Sequence, residues 1–257
     1  MKTIILAGGW GTRLGQLAEV IPKPMVQIGD RPILWHIMKM YSTQSFNDFI
    51  ICLGVKGEVV KQYFYQFEAL NSDFTINLSD NQIEYHNNHH ETDWKVTLVD
   101  TGLNTLKGGR IKRVEQYLDH DINMITYGDG IANINLSELL SFHKNHGKIL
   151  TITGVHPTSR FGELEEKDGV VKSFIEKPKN SKGYINGGFM VFNKELLNYL
   201  STDENCDFEY GPLEELAKEG QVMVYKHLGQ WDCMDHERDV VYLNKLWNMN
   251  QAHWKNW

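Results

Sequence analysis

Near its start the chain reads Thr3-Ile4-Ile5-Leu6-Ala7-Gly8-Gly9-Trp10-Gly11-Thr12-Arg13, an apolar run that breaks into closely spaced glycines. The run Thr3–Ala7 is rich in β-branched residues and does not alternate with polar ones, which indicates a strand buried on both faces. Because it breaks at Gly8 and no small-residue cleavage site follows, we expect a buried first strand and not a secretory signal. Glycine amides placed directly after a strand can approach and cradle phosphate groups.

Similar apolar runs recur along the first part of the chain, and amphipathic stretches separate them. Short runs bounded by Gly or Asp predict strands, and the stretches between them predict helices. The predicted strands are Asp48–Gly54, Lys95–Asp100, Ile122–Tyr127 and Leu150–Val155. The predicted helices are Pro32–Ser42, Val55–Phe67, Gly109–Leu118 and Leu136–His146, the last with Ser137 at its start. This alternation predicts an α/β protein with a doubly wound, mixed and mainly parallel sheet.

The pattern changes after about residue 155, where sheet segments separated by turns predominate. These segments are Gly162–Glu166, Val170–Glu176 and Ile185–Phe192, and two later helices are predicted at Glu209–Glu219 and Glu237–Trp247. No low-complexity linker interrupts the chain. We therefore expect a single domain over 1–257, with a core over about 1–155 and a β-rich second half over about 156–257.

Length and composition limit the class of protein. The chain has 257 residues, of which 41% are hydrophobic and 23% charged, and such ordinary globular usage excludes a disordered, collagenous or coiled-coil chain. Its net charge of −7 disfavours nucleic acid as a partner, because phosphate backbones require a basic surface. No apolar run approaches the ~18 residues of a membrane span, so no membrane partner is expected.

The cysteines point to a reducing compartment. The three residues, Cys52, Cys206 and Cys233, lie far apart and form no Cys-x-x-Cys motif. Neither a disulfide framework nor a zinc knuckle is therefore indicated. A cytoplasmic location is expected, since free thiols persist there.

Two common phosphate-binding loops do not match the glycine-rich segment. A Rossmann fingerprint counted from Gly9 and Gly11 requires a third glycine where Leu14 stands, and a Walker A loop requires Gly-Lys where Arg13 or Leu14 stands. What remains is a glycine loop that ends in Arg13, followed by Pro22-Lys23-Pro24. A lysine between two prolines lies on a stiff, extended backbone, which suits a fixed charge aimed at phosphate. A tight turn with a surface lysine is the plainer alternative.

These motifs, in their order along the chain, resemble the signature of sugar-1-phosphate nucleotidylyltransferases. The signature is Leu6-Ala7-Gly8-Gly9-x-Gly11-Thr12-Arg13-Leu14 followed by Pro22-Lys23-Pro24-Met25. The resemblance extends over nearly the whole chain and implies a Rossmann-like nucleotidyltransferase fold whose second half binds the sugar. Further matching segments are Pro32–Tyr41, Thr97–Gly102, Thr126–Gly130, Glu176–Lys179, Ile185–Phe189 and Met234–Asp239.

The resemblance implies a reaction and its substrates. Members of the family join a sugar 1-phosphate to a nucleoside triphosphate and release pyrophosphate, and the likeness implies CTP and glucose 1-phosphate as the pair. A phosphate with a second pKa near ~6 is already ionised at pH 7, so no general base is required. Catalysis then consists of positioning and charge neutralisation during in-line attack. Another pyrimidine nucleotide, another hexose 1-phosphate and a non-catalytic nucleotide-sugar-binding subunit remain as alternatives.

The resemblance also implies roles for matched positions. Arg13 pairs with the departing phosphates, Lys23 lies near the α-phosphate, and Asp129 is the third residue expected to be catalytic. The nucleotide-binding residues implied are Leu6, Ala7, Gly8, Gly9, Gly11, Thr12, Arg13, Lys23, Thr101, Gly102, Arg110 and Gly128. The sugar-phosphate-binding residues implied are Glu176, Lys177, Asn186 and Gly187.

A Mg²⁺ site is expected from two aspartates that lie far apart in the chain. Asp129 follows a predicted strand directly, at the kind of strand end where open α/β sheets bind ligands. Two carboxylates with phosphate oxygens and waters suit octahedral Mg²⁺, and the resemblance implies Asp129 and Asp235 as the pair. A turn-former at Asp129 and a helix N-cap at Asp235 are the structural alternatives, and Asp239 competes for the second ligand position.

Two further features are interpreted as structural. The histidines within His86–His90 lie in an Asn-rich polar stretch without cysteine or helical i,i+4 spacing, which favours a solvated loop over a metal site. The aromatic residues Trp247, Trp254 and Trp257 are unusual for a free terminus, and we expect them to dock against the body or a neighbouring subunit. The resemblance implies a homo-oligomer.

Overall fold

A seven-stranded sheet forms the centre of the computed structural model, which describes residues 1–86, 89–156, 163–167, 170–175 and 183–257. The strands of this sheet are β1 (Thr3–Leu6), β4 (Asp48–Leu53), β7 (Lys95–Asp100), β8 (Ile122–Tyr127), β10 (Leu150–Val155), β13 (Ile185–Asn193) and β14 (Val222–Lys226). Their order is β14-β10-β13-β8-β1-β4-β7. Among them, β13 runs antiparallel to both neighbours and the other pairs are parallel. The prediction of a mixed, mainly parallel α/β sheet is confirmed.

Eight short strands form two-stranded ribbons around this sheet. They are β2 (Gln27–Ile28) with β3 (Arg31–Pro32), β5 (Phe74–Asn77) with β6 (Gln82–Tyr85), β9 (Gly130–Ala132) with β15 (Trp231–Cys233), and β11 (Glu163–Lys167) with β12 (Val170–Ile175). The α-helices are α1 (Gln16–Val20), α2 (Ile33–Ser42), α3 (Gly57–Tyr65), α4 (Phe67–Asn71), α5 (Lys107–Arg113), α6 (Leu136–His146), α7 (Pro212–Lys218) and α8 (Glu237–Asn248). Short 3₁₀ turns occur at Thr12–Leu14, Lys23–Met25, Glu115–Tyr117 and Lys194–Tyr199.

Helices cover both faces of the central sheet, as the absence of polar alternation in its strands predicts. Ile5 and Ile51 belong to one buried cluster, together with side chains of α2 and α6. Their chain neighbours Ile4 and Ile50 belong to a second cluster, together with side chains of α5 and α7. Successive residues of a strand point to opposite faces, and full burial of each such side chain contributes ~1.5–3 kcal/mol. The strands are therefore fixed in register by packing on two sides.

Several predicted helix boundaries were wrong, each for a local reason. The helix predicted over Val55–Phe67 begins at Gly57, after Lys56 with φ of 53°, and is interrupted at Gln66. The helix predicted to start at Gly109 begins two residues earlier, at Lys107. The start expected at Ser137 is instead capped by Asn135, whose side chain accepts a hydrogen bond from the Glu138 amide at 3.0 Å.

The bounds of the last two predicted helices were also wrong, and one hairpin was missed. The helix predicted over Glu209–Glu219 is shorter, Pro212–Lys218, because Pro212 sets its first turn. The helix predicted at Glu237–Trp247 extends one residue further, to Asn248. The β5–β6 hairpin was not predicted at all, since its residues do not form a long apolar run.

The C-terminal tryptophans dock on α2. Trp254 is completely buried, and its ring centroid lies 6.1 Å from that of His36. Trp247 packs edge-on against the same imidazole at 4.8 Å, and Trp257 lies 5.7 Å from Trp35. Burial lowers the pKa of His36 to about 4, so the imidazole at the centre of this aromatic cluster is neutral at physiological pH. None of the helices in the described ranges has the length and apolar character needed to cross a bilayer.

Candidate functional site

A cleft of about 640 Å³ opens at the carboxyl ends of the parallel neighbours β1 and β8. The strands end level with one another, with Leu6 opposite Tyr127. The glycine loop follows the first strand, and Gly128-Asp129 follows the second. Because ligands bind beyond the carboxyl ends of the strands in open α/β sheets, this cleft is the candidate site.

Most of the residues predicted for the site line the cleft. They are Leu6, Ala7, Gly8, Gly9, Gly11, Thr12, Arg13, Lys23, Arg110, Gly128, Asp129, Asn186, Gly187 and Asp235. Thr101 and Gly102 stand behind the cleft wall, which is formed there by 103–107. Glu176 and Lys177 lie outside the described residues, so the structure gives no account of them.

The glycine loop presents free backbone donors. Within the described part of the chain, the N–H groups of Gly9, Trp10 and Gly11 donate to no protein acceptor, and Gly9 and Trp10 are exposed. Gly11 has φ of 64° and begins the 3₁₀ turn Thr12–Leu14; this left-handed conformation favours glycine. A row of unpaired N–H groups is an anion-binding surface, and phosphate is the anion that it fits.

Arg110 holds the loops of this cleft together. Its side chain is 4% exposed, and its two terminal nitrogens donate to the carbonyls of Leu53 at 2.9 Å, Gly8 at 3.0 Å and Gly102 at 2.8 Å. They also donate to the Thr101 hydroxyl at 2.8 Å. Burial, as the largest cause, lowers the pKa of the guanidinium. Because these donors are engaged, Arg110 contributes to the cleft by fixing its backbone.

Lys23 joins the two aspartates predicted to share a metal. Its Nζ lies 2.7 Å from Asp129 Oδ2 and 2.6 Å from Asp235 Oδ1. Arg13 Nη1 lies 2.7 Å from the other oxygen of Asp235. Lys23 and Asp235, which are 212 positions apart in the chain, therefore meet at one point. The fold brings together residues whose distance in space the sequence could not give.

Two charges of each sign balance at this point. Burial alone would lower the pKa of the Lys23 ammonium, but the charges and hydrogen bonds of Asp129 and Asp235 outweigh it and raise that pKa. Burial would raise the pKa of Asp235, but hydrogen bonds and charge from Lys23, and then from Arg13, hold it below its usual value. Both groups are therefore ionised at neutral pH.

The β9–β15 ribbon positions the two carboxylates. Gly130, which follows Asp129, pairs with Cys233, and the Met234 amide donates to the Asp129 carbonyl at 2.9 Å. Asp235 then leaves the end of the ribbon beside Asp129. Asp239 is occupied elsewhere, because its Oδ2 accepts hydrogen bonds from the backbone amides of Asp235 and His236 at 2.9 and 2.8 Å. The alternative of Asp235 as a helix N-cap was wrong, because His236 is the N-cap of α8.

The donor set fits a hard divalent cation. Oxygen atoms of Asp129 and Asp235 lie with Cys233 Sγ within 4.8 Å of one another. Burial, and then the two aspartate charges, raise the pKa of the Cys233 thiol, a shift that opposes the thiolate form. Two carboxylates without a thiolate or imidazole suit Mg²⁺ or Mn²⁺ better than Zn²⁺.

Some cleft residues were missed from the sequence. The wall formed by 103–107 contains little apolar periodicity. The positive charge of Lys107 is the one feature of this segment from which a role in the cleft could have been predicted. Tyr127, at the end of a predicted strand, and Trp231 were not predicted as site residues, yet both line the cleft. Trp231 donates its indole N–H to the Gly187 carbonyl at 2.8 Å, so it ties the ribbon to β13.

A second, larger depression of about 1040 Å³ lies between α3, α4 and β7, and none of the predicted site residues that the structure describes lines it. The expectation of a wholly solvated loop over His86–His90 was wrong for His89, because its side chain is 11% exposed. Its Nε2 lies 2.9 Å from a Glu68 oxygen, and its ring packs edge-on against Phe67 at 5.0 Å.

Comparison with known proteins identifies relatives over the full length. The family model described as "Nucleotidyl transferase" matches residues 2–253. Glucose-1-phosphate cytidylyltransferase of Salmonella typhimurium is 48% identical over 258 aligned positions, which cover 100% of both chains. The probable glucose-1-phosphate cytidylyltransferase of Bacillus subtilis is 44% identical, with the same coverage.

Solved structures share the fold. HddC from Yersinia pseudotuberculosis superposes with a TM-score of 0.68 at 22% identity, over 96% of this chain and 99% of that one. A putative glucose-1-phosphate thymidylyltransferase from Bacillus anthracis superposes with a TM-score of 0.67 at 19% identity, over 100% of this chain and 97% of that one. At these identities the likeness concerns the Rossmann-like architecture.

We expect Gly8→Ala to destabilise the protein by about 1–3 kcal/mol through overpacking. An added Cβ at Gly8 would overlap the Arg110 guanidinium, whereas one at Gly9 would meet nothing within 4 Å. Gly9→Ala in the same loop is the matched control and should change the free energy of unfolding by less than ~0.5 kcal/mol. Urea unfolding measures both, and equal stabilities of the two variants would contradict the role given to Arg110.

Proposed function

Because the chain belongs to the nucleotidyl transferase family, we propose that it joins CTP and α-D-glucose 1-phosphate to give CDP-glucose and pyrophosphate. The relatives that are 48% and 44% identical over their whole length carry the name of this activity. The convergence of the glycine loop, Lys23, Asp129 and Asp235 in one cleft is the observation that carries the chemistry. Another pyrimidine nucleotide or hexose 1-phosphate is the alternative within the same reaction.

The reaction is a single displacement at phosphorus. A phosphate oxygen of glucose 1-phosphate attacks the α-phosphorus of CTP, a new P–O bond forms, and the bond from that phosphorus to the β-bridging oxygen breaks. Pyrophosphate leaves with the bonding electrons. The nucleophile is already ionised at neutral pH, so no residue needs to remove a proton, and the protein contributes positioning and neutralisation of charge.

The free amides of the glycine loop, together with Arg13, suit the triphosphate. We assign Gly9–Gly11 to hold phosphate oxygens, and Arg13, which is 68% exposed at the cleft rim, to pair with the departing pyrophosphate. Lys23 provides a fixed positive charge for the α-phosphate. The wall at 103–107, backed by Thr101 and Gly102, faces the nucleoside side, and Asn186 with Gly187 faces the sugar. Glu176 and Lys177 are assigned to the sugar phosphate by resemblance.

Nucleotidyltransferases of this family generally use a divalent metal, and we propose Mg²⁺ for this chain. Asp129 and Asp235 would hold it, since their oxygens already converge on one cation, the Lys23 ammonium. The metal would supply neutralisation of the charge on the phosphate oxygens.

A cytoplasmic location is proposed on the cysteines. All three, Cys52, Cys206 and Cys233, are free thiols, as expected in a reducing compartment. The acidic net charge of −7 supports small phosphorylated substrates as partners over nucleic acid, and a few local cations suffice for them.

We infer a homo-oligomer from the β5–β6 hairpin. Phe74 pairs with Tyr85 and Ile76 with Ile83, so these four side chains share one face of the hairpin, and all four are exposed. A two-stranded hairpin is marginally stable by itself, and exposed apolar patches mark contact surfaces. A second copy of this chain is the occupant that we propose for this face.

The substrates are tested by pyrophosphate release. We expect purified protein with Mg²⁺ to release pyrophosphate from CTP plus glucose 1-phosphate faster than from any other pair. The screen covers CTP, UTP, dTTP and GTP against glucose, mannose and galactose 1-phosphates, and reactions lacking the sugar phosphate are the blank. Faster turnover of a different pair would reassign the substrates. If none of the pairs yielded pyrophosphate, the proposed reaction would be overturned.

The metal ligands are tested by removing one charge at a time. Asp129→Asn and Asp235→Asn should each lower kcat/KM by at least ~100-fold, because transition-state neutralisation of this kind is worth that much. Both should also raise the Mg²⁺ concentration needed for half-maximal rate. Asp232→Asn is the control: it lies on β15 but pairs with His253 at 2.8 Å. Wild-type rates in Asp129→Asn would exclude its metal role.

The assembly is tested by light scattering. The wild-type protein should have a mass of at least two chains, and Ile76→Asp with Ile83→Asp should shift it toward one chain, because a charge on the apolar face opposes its burial. Gln82→Asp, on the opposite face of the hairpin, should leave the mass unchanged. A monomeric wild-type protein would show that the hairpin is not an interface.

A further inference from the structure

A hydrogen-bonded chain of side chains crosses the floor of the cleft. The Asn186 amide donates through Nδ2 to the Tyr127 hydroxyl at 3.0 Å, and that hydroxyl donates to Glu209 Oε1 at 2.7 Å. Lys107 also donates to Glu209 Oε1. The chain thus runs from β13, through the end of β8, to the segment before α7 and the start of α5. Three of its members, Lys107, Tyr127 and Asn186, line the cleft.

Glu209 stands outside the cleft wall but is rigidly placed. Phe208, the residue before it, is completely buried in the core beneath α5 and α7. The Glu209 amide donates to Asp207 Oδ1 at 3.1 Å, which fixes the backbone in a tight turn. Its Oε2 is shielded from solvent and has no partner within the described residues. The donors Lys107 and Tyr127 therefore determine where the carboxylate lies.

The carboxylate in turn determines the direction of the Tyr127 hydroxyl. A hydroxyl has one proton, and Tyr127 donates it in the hydrogen bond to the Glu209 carboxylate. The lone pairs of the hydroxyl are then left to accept from the Asn186 amide.

The Asn186 side chain is consequently fixed at both ends. Its Oδ1 accepts from the Gly188 amide at 2.9 Å, and one of its two Nδ2 hydrogens goes to Tyr127. The amide cannot flip without breaking both bonds. Among the residues that the structure describes, its second Nδ2 hydrogen has no acceptor and is left as a donor at the sugar side of the cleft. A donor of fixed direction selects for an oxygen at one place, such as a ring hydroxyl.

Lys107 links the same carboxylate to the nucleoside side. Its Nζ lies 5.1 Å from the centre of the Tyr127 ring, in addition to pairing with Glu209. The ammonium is 44% exposed, so its pairing is weaker than that of a buried ion pair. Of the two donors to Glu209, the Tyr127 hydroxyl is better shielded from solvent than the Lys107 ammonium. The sugar side of the cleft, which Tyr127 supports, therefore depends more on Glu209 than the nucleoside side does.

We propose that Glu209 is a positioning residue for the sugar phosphate, acting through the Tyr127 hydroxyl on the Asn186 amide. This inference rests on the proposed function, since it concerns how the second substrate is bound in the same cleft. Glu209 touches no reacting atom. Its removal should weaken binding of the sugar phosphate while the glycine loop, Lys23 and the aspartates remain in place.

The test separates the KM values of the two substrates. Glu209→Ala and Tyr127→Phe should each raise KM for glucose 1-phosphate about tenfold, the cost of one positioned hydrogen bond, and change KM for CTP less than ~twofold. The double variant should show no further rise, because both act through one chain. Tyr210→Phe and Glu214→Ala, neighbours whose side chains are exposed, are the matched controls and should retain both KM values. Thermal unfolding verifies that each variant is folded.

Each other outcome contradicts the proposal. Equal rises in both KM values would indicate a general structural role. An unchanged KM for the sugar phosphate would show that Glu209 does not position it. Additive effects in the double variant would show that Glu209 and Tyr127 do not act through one hydrogen-bonded chain. If the wild-type protein prefers another substrate pair, the proposed substrates fail, and the same KM comparison with the preferred pair still decides the role of Glu209.

Discussion

The cleft depends on one ammonium group between two carboxylates. Asp129 and Asp235 would repel each other if they stood alone in a partly buried site, and the Lys23 Nζ at 2.7 and 2.6 Å resolves that repulsion. The backbone at Lys23 was predicted to be extended, but it begins the 3₁₀ turn Lys23–Met25, and the prolines on both sides restrict that backbone. The protein thus keeps a cation between the two carboxylates, at the place that the proposed function assigns to a metal and a phosphate.

Two backbone devices hold this arrangement in place. The β9–β15 ribbon brings Asp235 beside Asp129, and Arg110 fastens the glycine loop to the ends of β4 and β7 through carbonyl oxygens. Neither device contacts the reacting phosphorus in the proposed reaction. Both act by removing freedom from loops that would otherwise be mobile, which is how positioning contributes to rate.

The sequence was informative where one local pattern determines one outcome. Runs such as Ile122–Tyr127 and Leu150–Val155 have the predicted bounds, because burial on both faces leaves an unbroken apolar signal. Helix ends depend on single contacts, such as the Asn135 cap, that competing residues nearby could equally make. Thr101 and Glu209 show the limit for site residues: whether a side chain faces the cleft or supports its wall is decided by packing between distant segments, which spacing does not encode.

The ribbon also sets the order in which the cleft can be assembled during synthesis. Asp129 leaves the ribosome with most of the parallel strands, but Asp235 follows only after more than a hundred further residues. The helix α8 and Trp254, which pack against the body of the protein, emerge later still. A nascent chain that has been made only through β14 carries the phosphate loop and one carboxylate, with Lys23 facing a single partner. The group of Lys23, Asp129 and Asp235 is therefore completed in one late step of synthesis rather than gradually.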